Sequence, residues 1–367
     1  MAVRRRLERP RVPVVVGFAD PGSDPRRQRV PDLQRDQVAG LERSGPGQSF
    51  LARPALGARA HGPYPGCDLG RDAQGHDSGF DQRAVLIHAA SAMRLAGIEL
   101  EAVSVGGVET CIELPEAKLA FDIGRCPHSA VNRRTVLFTH AHMDHLGGVA
   151  YHCATRALRR LPPPRYAIGR ENSAALRELF EVWRRLDRSE LEHELVEIGP
   201  GEELRLDNGW YARPFRSPHR APCQGYGLWS RRKKLLDEHV GRAPAELARM
   251  RASGAALERE VETAEFAFTG DTLIEVVENE AVVREARLLV MEVTFLDERV
   301  SVAECRSKGH VHLDEVAERA ELFHNEALLF THFSARYRQR DILKRLDERL
   351  PPDLRARVTP LLSGHAP

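Results

Sequence analysis

The sequence is poor in the features that mark secreted, disulfide-linked or membrane proteins. Its 367 residues include only six cysteines and no Cys-x-x-Cys pair, which argues against a disulfide framework and against a cysteine-based zinc knuckle. No apolar run approaches the roughly 18 residues that a membrane-spanning helix needs. We therefore expect a cytoplasmic protein that does not enter a membrane.

A strong net charge is also lacking, since the formal charge is only +1. Residues 1–92 hold 14 arginines, no lysine and ten acidic residues, which gives +4, and the remainder carries −3. A protein that binds nucleic acid through bulk charge is clearly basic. Any contact with a polyanion must therefore come from a local patch.

The first 92 residues differ in character from the rest of the chain. They are rich in Pro, Gly, Arg, Asp and Gln and sustain neither strand nor helix periodicity, a composition typical of disorder. We interpret residues 1–92 as a disordered extension, or as untranslated sequence if Met93 is the true start. A basic arm for RNA or a targeting segment is the alternative. Residues 93–367 are predicted to form the folded domain.

After residue 93, short apolar strands come first and helices follow among them. IELEAVSV (98–105) and RTVLFTH (134–140) are typical of strands, whereas SAALRELFEVWRRL (173–186) has the spacing of an amphipathic helix. No internal repeat is evident at a fixed period. The alternation predicts an α/β fold in which two β-sheets are faced by helices on the outside.

Several of these strands end in residues that bind metals. The motif THAHMDH places three histidines and one aspartate within six positions, and further strands end in a histidine or an aspartate. Buried polar groups without a partner cost about 1–3 kcal/mol each, so something must satisfy them. The candidate ligands are His140, His142, Asp144, His145, His219, Asp271 and His332. Imidazole and carboxylate without thiolate suit Zn²⁺, with Mn²⁺ or Fe²⁺ possible, and seven ligands suit two ions sharing a carboxylate.

Two closely spaced metal ions suit the hydrolysis of a phosphodiester or a similar ester. Asp144 could orient the attacking water and take its proton, and the leaving group then needs a proton donor. The segment GHVH offers His310 and His312 for that role, and Glu292 at a strand end could orient one of them. The remaining histidines lack this context, and we expect them at the surface or beside the ligands; they include His128, His152, His193, His239 and His324.

These residues resemble the metallo-β-lactamase superfamily, and within it the ribonuclease Z (tRNase Z) group, most closely its short plant-type form. The resemblance is carried, in the family's order, by AVSVGGVETCIELP, FDIGRCPHSAV, THAHMDHLGGV, RSPHRAPCQGY, AFTGDT, MEVTFLDE, GHVHLDE and HFSARY. It extends from about residue 96 to residue 337. FDIGRCP and HFSARY are far more specific than the histidine cluster, which any superfamily member could show.

The resemblance implies an αββα sandwich and a zinc-dependent endoribonuclease that removes the 3′ trailer of precursor tRNA, using a metal-bridged hydroxide. It also implies a homodimer. One zinc would be held by His140, His142 and His219, the other by Asp144, His145 and His332, with Asp271 between them. Asp144 would be the general base, and Glu292 with His310 would support proton delivery. Ser334, Arg336 and Tyr337 match a family signature and are candidate substrate contacts.

The long arm with which many bacterial members grip tRNA is not evident between Gly148 and Pro218, and the plant-type form also lacks the typical arm. Candidate RNA contacts are then the basic runs 156–165 and 229–238, the second of which holds Arg231, Arg232 and Lys233. An ordinary solvated face is the alternative interpretation of both runs.

Three other functions stay open on the sequence alone. The same two metals would serve a phosphodiesterase that acts on small or cyclic phosphoesters, and the acidic core favours that function. A non-catalytic metal-binding scaffold is a second alternative, although all the candidate catalytic residues are present. A β-lactamase is the least supported, because nothing indicates export.

Overall fold

The computed structural model of the protein describes residues 90–367. The first half of this part contains β1 (Ser91–Leu95), β2 (Ile98–Val105), β3 (Glu109–Leu114), β4 (Leu119–Phe121), β5 (Thr135–Leu137), α1 (Met143–Leu146), α2 (Val149–Leu158), β6 (Arg165–Ile168), α3 (Arg170–Asp187) and β7 (Glu194–Glu197).

The second half contains β8 (Leu204–Arg205), β9 (Tyr211–Arg216), β10 (Gln224–Leu235), α4 (Pro244–Ala252), β11 (Glu258–Phe268), α5 (Glu275–Asn279), α6 (Ala281–Glu285), β12 (Leu288–Glu292), α7 (Val302–Ser307), α8 (Leu313–Glu318), β13 (Ala327–Thr331), α9 (Gln339–Arg349), α10 (Pro352–Arg355) and β14 (Val358–Pro360). None of these helices is long and apolar enough to cross a membrane.

The two sheets repeat one topology. Strands β1 to β7 lie side by side in chain order, and so do β8 to β14. In each sheet the first four strands pair antiparallel and the last four pair parallel. Helices connect the parallel strands, as parallel pairing requires. The described chain is thus built from two halves of like topology, a repeat that the sequence does not display.

Alternating side chains sort the strands into inner and outer faces. Leu288 and Val290 of β12 join Phe121 of β4 in a core between the two sheets. Leu289 and Met291 of the same strand point the other way and pack against the helices of the second half. A third cluster fills the space between the first sheet and helices α2 and α3. The predicted αββα sandwich is confirmed.

The expected start of the folded domain falls inside a strand. Ser91 and Ala92 already pair with Ala102 and Glu101, so the boundary predicted after residue 92 divides β1. The prediction of disorder concerns mainly residues 1–89, which lie outside the described residues.

A long hairpin extends beyond the second sheet. Strands β10 and β11 pair from Tyr226 with Phe268 out to Leu235 with Glu258, whereas β9 covers β10 only as far as Trp229. The distal part of the hairpin therefore belongs to no larger sheet, and it carries α4 at its tip. The distal residues are polar on both faces, so no apolar alternation in the sequence marks this part of the hairpin.

Candidate metal centre

All seven predicted ligands converge at the carboxyl ends of the strands that precede them. His140 and His142 follow β5, and Asp144 and His145 lie on the short helix α1. The other three predicted ligands follow β9, β11 and β13 respectively, and are His219, Asp271 and His332. Their nitrogen and oxygen atoms form two groups, one of His140, His142, His219 and Asp271 and one of Asp144, His145 and His332, and within each group they lie within 4.8 Å of one another.

The first group surrounds the Nδ1 atom of His142. That atom lies 2.9 Å from His140 Nε2 and 3.5 Å from His219 Nε2. Asp271 Oδ2 approaches His140 Nε2 to 3.6 Å. Three imidazole nitrogens and one carboxylate oxygen thus face one point, which is a donor set that zinc accepts.

The second group is centred on His332. Its Nε2 atom lies 3.4 Å from His145 Nε2 and 3.4 Å from Asp144 Oδ2. The Oδ1 atom of Asp271 lies 3.3 Å from His145 Nε2 and 3.4 Å from His332 Nε2. Asp271 therefore directs one oxygen toward each group, as a carboxylate shared by two ions would.

Asp271 Oδ1 also gives a direct test of whether the site suits a metal. This oxygen is buried and accepts no well-aligned hydrogen bond in the described part of the chain. Leaving a buried charged acceptor without a donor costs at least about 1–3 kcal/mol. A cation between Asp271, His145 and His332 would satisfy it, so the residues present fit a dinuclear metal site.

Asp122 supports ligands of both groups from behind. Its Oδ2 atom lies 2.8 Å from His145 Nδ1 and accepts a hydrogen bond of 2.8 Å from the Thr139 hydroxyl. That hydroxyl in turn lies 3.0 Å from His140 Nδ1. Fixing the outer nitrogen of an imidazole fixes its tautomer and aims the inner nitrogen. Asp122 is fully buried, so this arrangement is sheltered from water.

Glu292 supports the opposite side of the centre. It accepts a hydrogen bond of 2.6 Å from the Thr294 hydroxyl, which lies 2.9 Å from His332 Nδ1. His219 Nδ1 donates to the carbonyl of Gly309 at 2.7 Å. The outer nitrogens of these two ligands are therefore also held in place, with the inner nitrogens turned to the centre.

Burial and mutual charge set the protonation of the ligands. Burial lowers the pKa of His140, His142 and His219, which favours the neutral imidazole that binds a metal. Burial alone would raise the pKa of Asp271, but the charges of His332 and His145 bring it well below its ordinary value. The Asp271 carboxylate is therefore ionised.

His310 lies at the edge of the centre, and His312 does not. The Nδ1 atom of His310 lies 3.0 Å from Glu292 Oε1 and 3.9 Å from Asp271 Oδ2. Burial alone would lower the pKa of His310, but the charge and hydrogen bond of Glu292 raise it to about 9. His312 instead begins α8, where its Nδ1 accepts from the Asp314 amide. Of the two candidate histidines, His310 therefore lies beside the ligand groups and His312 lies away from them.

The backbone around the ligand groups is strained at two residues and closely packed at a third. Asp122 and His332 adopt left-handed conformations, with φ of 54° and 60°. Such conformations cost on the order of 1–3 kcal/mol in residues other than glycine and cluster at functional sites. Gly124 lies so close to α1 that a Cβ atom would sit 2.0 Å from the Asp144 carbonyl oxygen. This close approach explains the glycine of FDIG, two residues after Asp122.

The three residues of the HFSARY signature have different surroundings. Tyr337 is buried, and its hydroxyl accepts from the Leu296 amide, so it supports the loop from inside the protein. Arg336 is exposed, lies over the Phe295 ring at 5.5 Å and donates to the Ser334 hydroxyl. Of the three, only Arg336 presents a charge to solvent, and the Phe295 ring beneath it also lies 6.3 Å from the His310 ring.

The distal hairpin separates its charges onto two faces. Cross-strand partners share a face, and β10 residues 231, 233 and 235 pair with Glu262, Glu260 and Glu258. Arg231 is held there by ion pairs to Glu203, Glu260 and Glu262. The opposite face carries Arg232, Lys234 and Arg259, of which Arg232 and Lys234 form no ion pair within the described chain. Arg231 and Lys233 thus lie on the mixed face, and Arg232 on the cationic one.

The other basic run, 156–165, is only partly exposed. Arg156 is buried and donates to the carbonyls of Val131 and Pro162. Arg159 is exposed and lies 2.7 Å from the Nε2 atom of His128. Arg156 is therefore a structural residue, and the exposed charge of this run is at its arginines 159 and 160.

Sequence reasoning missed several residues of the site. Asp122, Thr139 and Thr294 each contact a ligand, yet none was singled out. Asp122 was detectable, since it follows an apolar strand just as the ligands do. His152 was wrongly expected at the surface or beside the ligands: it is fully buried, with Nε2 donating to the Ala130 carbonyl and Nδ1 against the Tyr166 hydroxyl.

The chain is similar to several known proteins. Residues 124–333 match the family described as "Beta-lactamase superfamily domain". The chain is 41% identical over 275 residues to tRNase Z TRZ1 of Arabidopsis thaliana, covering 74% of this chain and 98% of that protein. It is 36% identical over 283 residues to the chloroplastic tRNase Z TRZ2 of the same plant, covering 75% and 80%. Among solved structures, the short form of human tRNase Z matches with a TM-score of 0.43 and 19% identity, over 75% of this chain and 94% of that one.

The extent of these matches decides the family. The superfamily segment covers more than half of the chain, and the two plant relatives are aligned over most of their own length at well over 30% identity. The chain therefore belongs to the tRNase Z family, a branch of the β-lactamase superfamily related to the short plant form.

Proposed function

We propose that the protein is a metal-dependent endoribonuclease that removes the 3′ trailer of precursor tRNA by phosphodiester hydrolysis. The observation that carries the proposal is the convergence of two ligand groups on Asp271, with His310 and its Glu292 partner at their edge. The names of the plant relatives supply the substrate class.

Two divalent ions would occupy the two ligand groups, and the donor set favours zinc, with manganese possible. When bound, they would lower the pKa of water and stabilise the negative charge that develops on the phosphoryl oxygens. His140, His142 and His219 would hold one ion, and Asp144, His145 and His332 the other. Asp271 would contact both.

Two side chains of this centre are assigned to proton transfer. Asp144 is the candidate base, because its Oδ2 faces the interior of the centre while accepting from the Gly107 amide at 2.9 Å. Burial alone would raise the pKa of Asp144, but the hydrogen bond from His332 and the charge of His145 hold it well below its ordinary value. His310 is the candidate donor to the leaving 3′ oxygen, with Glu292 orienting its ring.

The RNA would contact two cationic places outside the centre. Arg336 is exposed over the Phe295 ring, which also lies 6.3 Å from the His310 ring, and it could bind a phosphate near the cut. The cationic face of the hairpin, formed by Arg232, Lys234 and Arg259, could bind the backbone farther away. A substrate as long as tRNA could contact both of these cationic surfaces, whereas a small phosphoester bound at the centre would contact neither.

The test is a cleavage assay with the full chain loaded with zinc. One substrate is a precursor tRNA with a short 3′ trailer and the other is bis-p-nitrophenyl phosphate. We expect a single cut after the discriminator base, lost in Asp144→Ala and retained in Asp207→Ala, an exposed aspartate remote from the ligands. Ester hydrolysis without tRNA cleavage would replace the proposal with a phosphodiesterase acting on small esters.

Two further properties belong to the proposal. We expect the protein to act as a homodimer and to work in the cytoplasm. The chloroplastic name of one relative makes the compartment a point to test, by cell fractionation with the native chain.

A further inference from the structure

The distal hairpin joins the second sheet at a β-bulge. The register shifts between Leu228 and Trp229, and Glu265 of β11 is left without a partner on β10. A bulge bends its strand and increases the local twist. Beyond this point the hairpin has only two strands, and a two-stranded ribbon alone is marginally stable in water. A fixed direction of the hairpin therefore needs contacts at its base.

Four charged side chains form a closed ring on one face of the bulge. Arg213 of β9 donates to the two carboxylate oxygens of Glu262 at 3.0 and 2.7 Å, and to Glu203 at 2.8 Å. Arg231 of β10 donates to the same two carboxylates, at 2.7 Å to Glu262 and at 2.6 Å to Glu203. We call Glu203, Arg213, Arg231 and Glu262 the arginine–glutamate ring. It ties β9, which belongs to the sheet, to both strands of the hairpin.

The arginine–glutamate ring has more support than an ordinary surface ion pair. Arg213 lies over the Trp229 ring at 5.0 Å and Arg231 over the Tyr211 ring at 3.8 Å. The four charged side chains are between 26% and 36% exposed. Isolated surface ion pairs contribute little to stability, but networks with bidentate arginine contribute measurably. The hydrogen bond from Arg213 lowers the pKa of Glu262 to about 2, so the ring is charged at neutral pH.

The other face of the bulge is held by Glu265 itself. Ser230 precedes Arg231 and points to the opposite face, where its hydroxyl donates to Glu265 at 2.6 Å. Glu265 is buried and also accepts from Arg287 at 2.9 Å. Arg287 in turn donates to the carbonyl of Ala96, in the turn between β1 and β2, at 2.9 Å. The base of the hairpin is therefore held from both faces.

We infer that the arginine–glutamate ring fixes the direction of the hairpin and thereby positions its cationic face for RNA, an inference that rests on the proposed function. From Ala264 to Glu258 the strand rises by about 20 Å, at about 3.4 Å per residue. A swing of about 20° at the bulge would therefore displace the distal end by about 7 Å, roughly twice the rise between phosphates of one duplex strand. A mobile hairpin still reaches the same phosphates, but binding then has to order it, and the affinity falls.

Hydrogen exchange of the full chain tests the ring without RNA. Glu262→Gln removes a carboxylate that both arginines share, and Arg213→Lys keeps the charge but loses the bidentate contact. In both variants the backbone amides of 228–231 and 262–266 should exchange about tenfold faster, with those of β2 unchanged. Glu258→Gln is the matched control, because Glu258 lies on the same face of the same strand but pairs with Arg251 outside the ring. Its exchange should equal that of the native chain.

Kinetics on the precursor tRNA test the positioning. The KM should rise about fivefold in Glu262→Gln and in Arg213→Lys, with kcat and the hydrolysis of bis-p-nitrophenyl phosphate unchanged. The slope of log affinity against log salt concentration should also stay unchanged, because the same phosphates are contacted. Glu262→Gln removes a negative charge, which by itself would strengthen RNA binding. A higher KM in this variant therefore indicates lost positioning.

Three results would overturn the inference. They are unchanged exchange at the bulge in Glu262→Gln, faster exchange that leaves the KM unchanged, and a Glu258→Gln control that behaves like Glu262→Gln. A native chain that cleaves no precursor tRNA would instead refute the proposed function. The exchange measurement would still show whether the arginine–glutamate ring holds the hairpin.

Discussion

Replacing Asp122 with asparagine should weaken metal binding although Asp122 contacts no metal position. The Oδ2 atom of Asp122 accepts hydrogen bonds from His145 Nδ1 and from the Thr139 hydroxyl. In the variant, the side-chain oxygen of the asparagine can still accept the hydrogen bond from the Thr139 backbone amide. Its NH₂ group, however, would face the two donors that Oδ2 accepts from in the native protein, His145 Nδ1 and the Thr139 hydroxyl. His145 would then have to move its proton to Nε2, the nitrogen turned toward the second ligand group.

The size of the effect follows from what such outer hydrogen bonds contribute to metal sites in general. Removing a partner of a metal-binding histidine typically lowers metal affinity 10–100-fold, which corresponds to about 1.4–2.7 kcal/mol. Asp122→Asn should lose affinity mainly for the ion held by Asp144, His145 and His332. Competition between the metal-free protein and a zinc chelator, followed by metal counting, would measure the loss for each ion.

The control is Asp297→Asn, a second fully buried aspartate, bonded to Arg299 and Arg345 rather than to a ligand. It should cost stability without changing metal affinity. If the folded Asp122→Asn variant binds two ions as tightly as the native protein does, the role given to Asp122 is refuted.

Three more predictions concern the leaving group, the hairpin and the buried histidine. His310→Ala should slow tRNA cleavage by about 10²–10⁴-fold with both metals retained, and loss of metal in that variant would contradict its assigned role. Arg232→Glu should weaken precursor binding and reduce its salt slope by about 0.9 for each duplex phosphate that is no longer neutralised, whereas Arg231→Gln, on the mixed face, should leave the slope unchanged. Burial lowers the pKa of His152 to about 4, so its contribution to stability is complete above its ordinary pKa near 6.5 and is lost as the pH falls toward 4. The difference in the free energy of unfolding between the native chain and His152→Gln should therefore become smaller from pH 7 to pH 4.5. Urea unfolding of the metal-free proteins measures it, and a difference that does not change with pH would contradict the role given to the His152 pKa.

The grouping of the predicted ligands could be inferred because most of them stand where an apolar strand ends, and the others belong to the motif THAHMDH at the end of one. Parallel strands gather their carboxyl ends at one edge of a sheet, so Asp271 and His332, which follow two strands of the second sheet, could be placed together without coordinates. His310 and His312 could not be separated in the same way. They are two residues apart, and only packing decides that His312 begins a helix while His310 faces Glu292.

The hairpin and the repeated topology could not be predicted from the sequence, for a different reason. Distal residues such as Arg232 and Glu260 have no buried face, so no apolar alternation marks their strands. The two halves share strand order but not residue spacing, because the connections between their strands differ in length. Topology of this kind leaves no period in the sequence.

The repeated topology has a consequence for how the protein holds together. Each proposed metal position draws ligands from both halves: His140 and His142 with His219 for one, and Asp144 and His145 with His332 for the other, while Asp271 serves both. Neither half alone could assemble a complete site. Ions bound there would act as two adjacent cross-links between the halves, and their binding free energy would add directly to the cohesion of the sandwich. Removing the metals should therefore loosen the packing between the sheets before it disturbs either sheet.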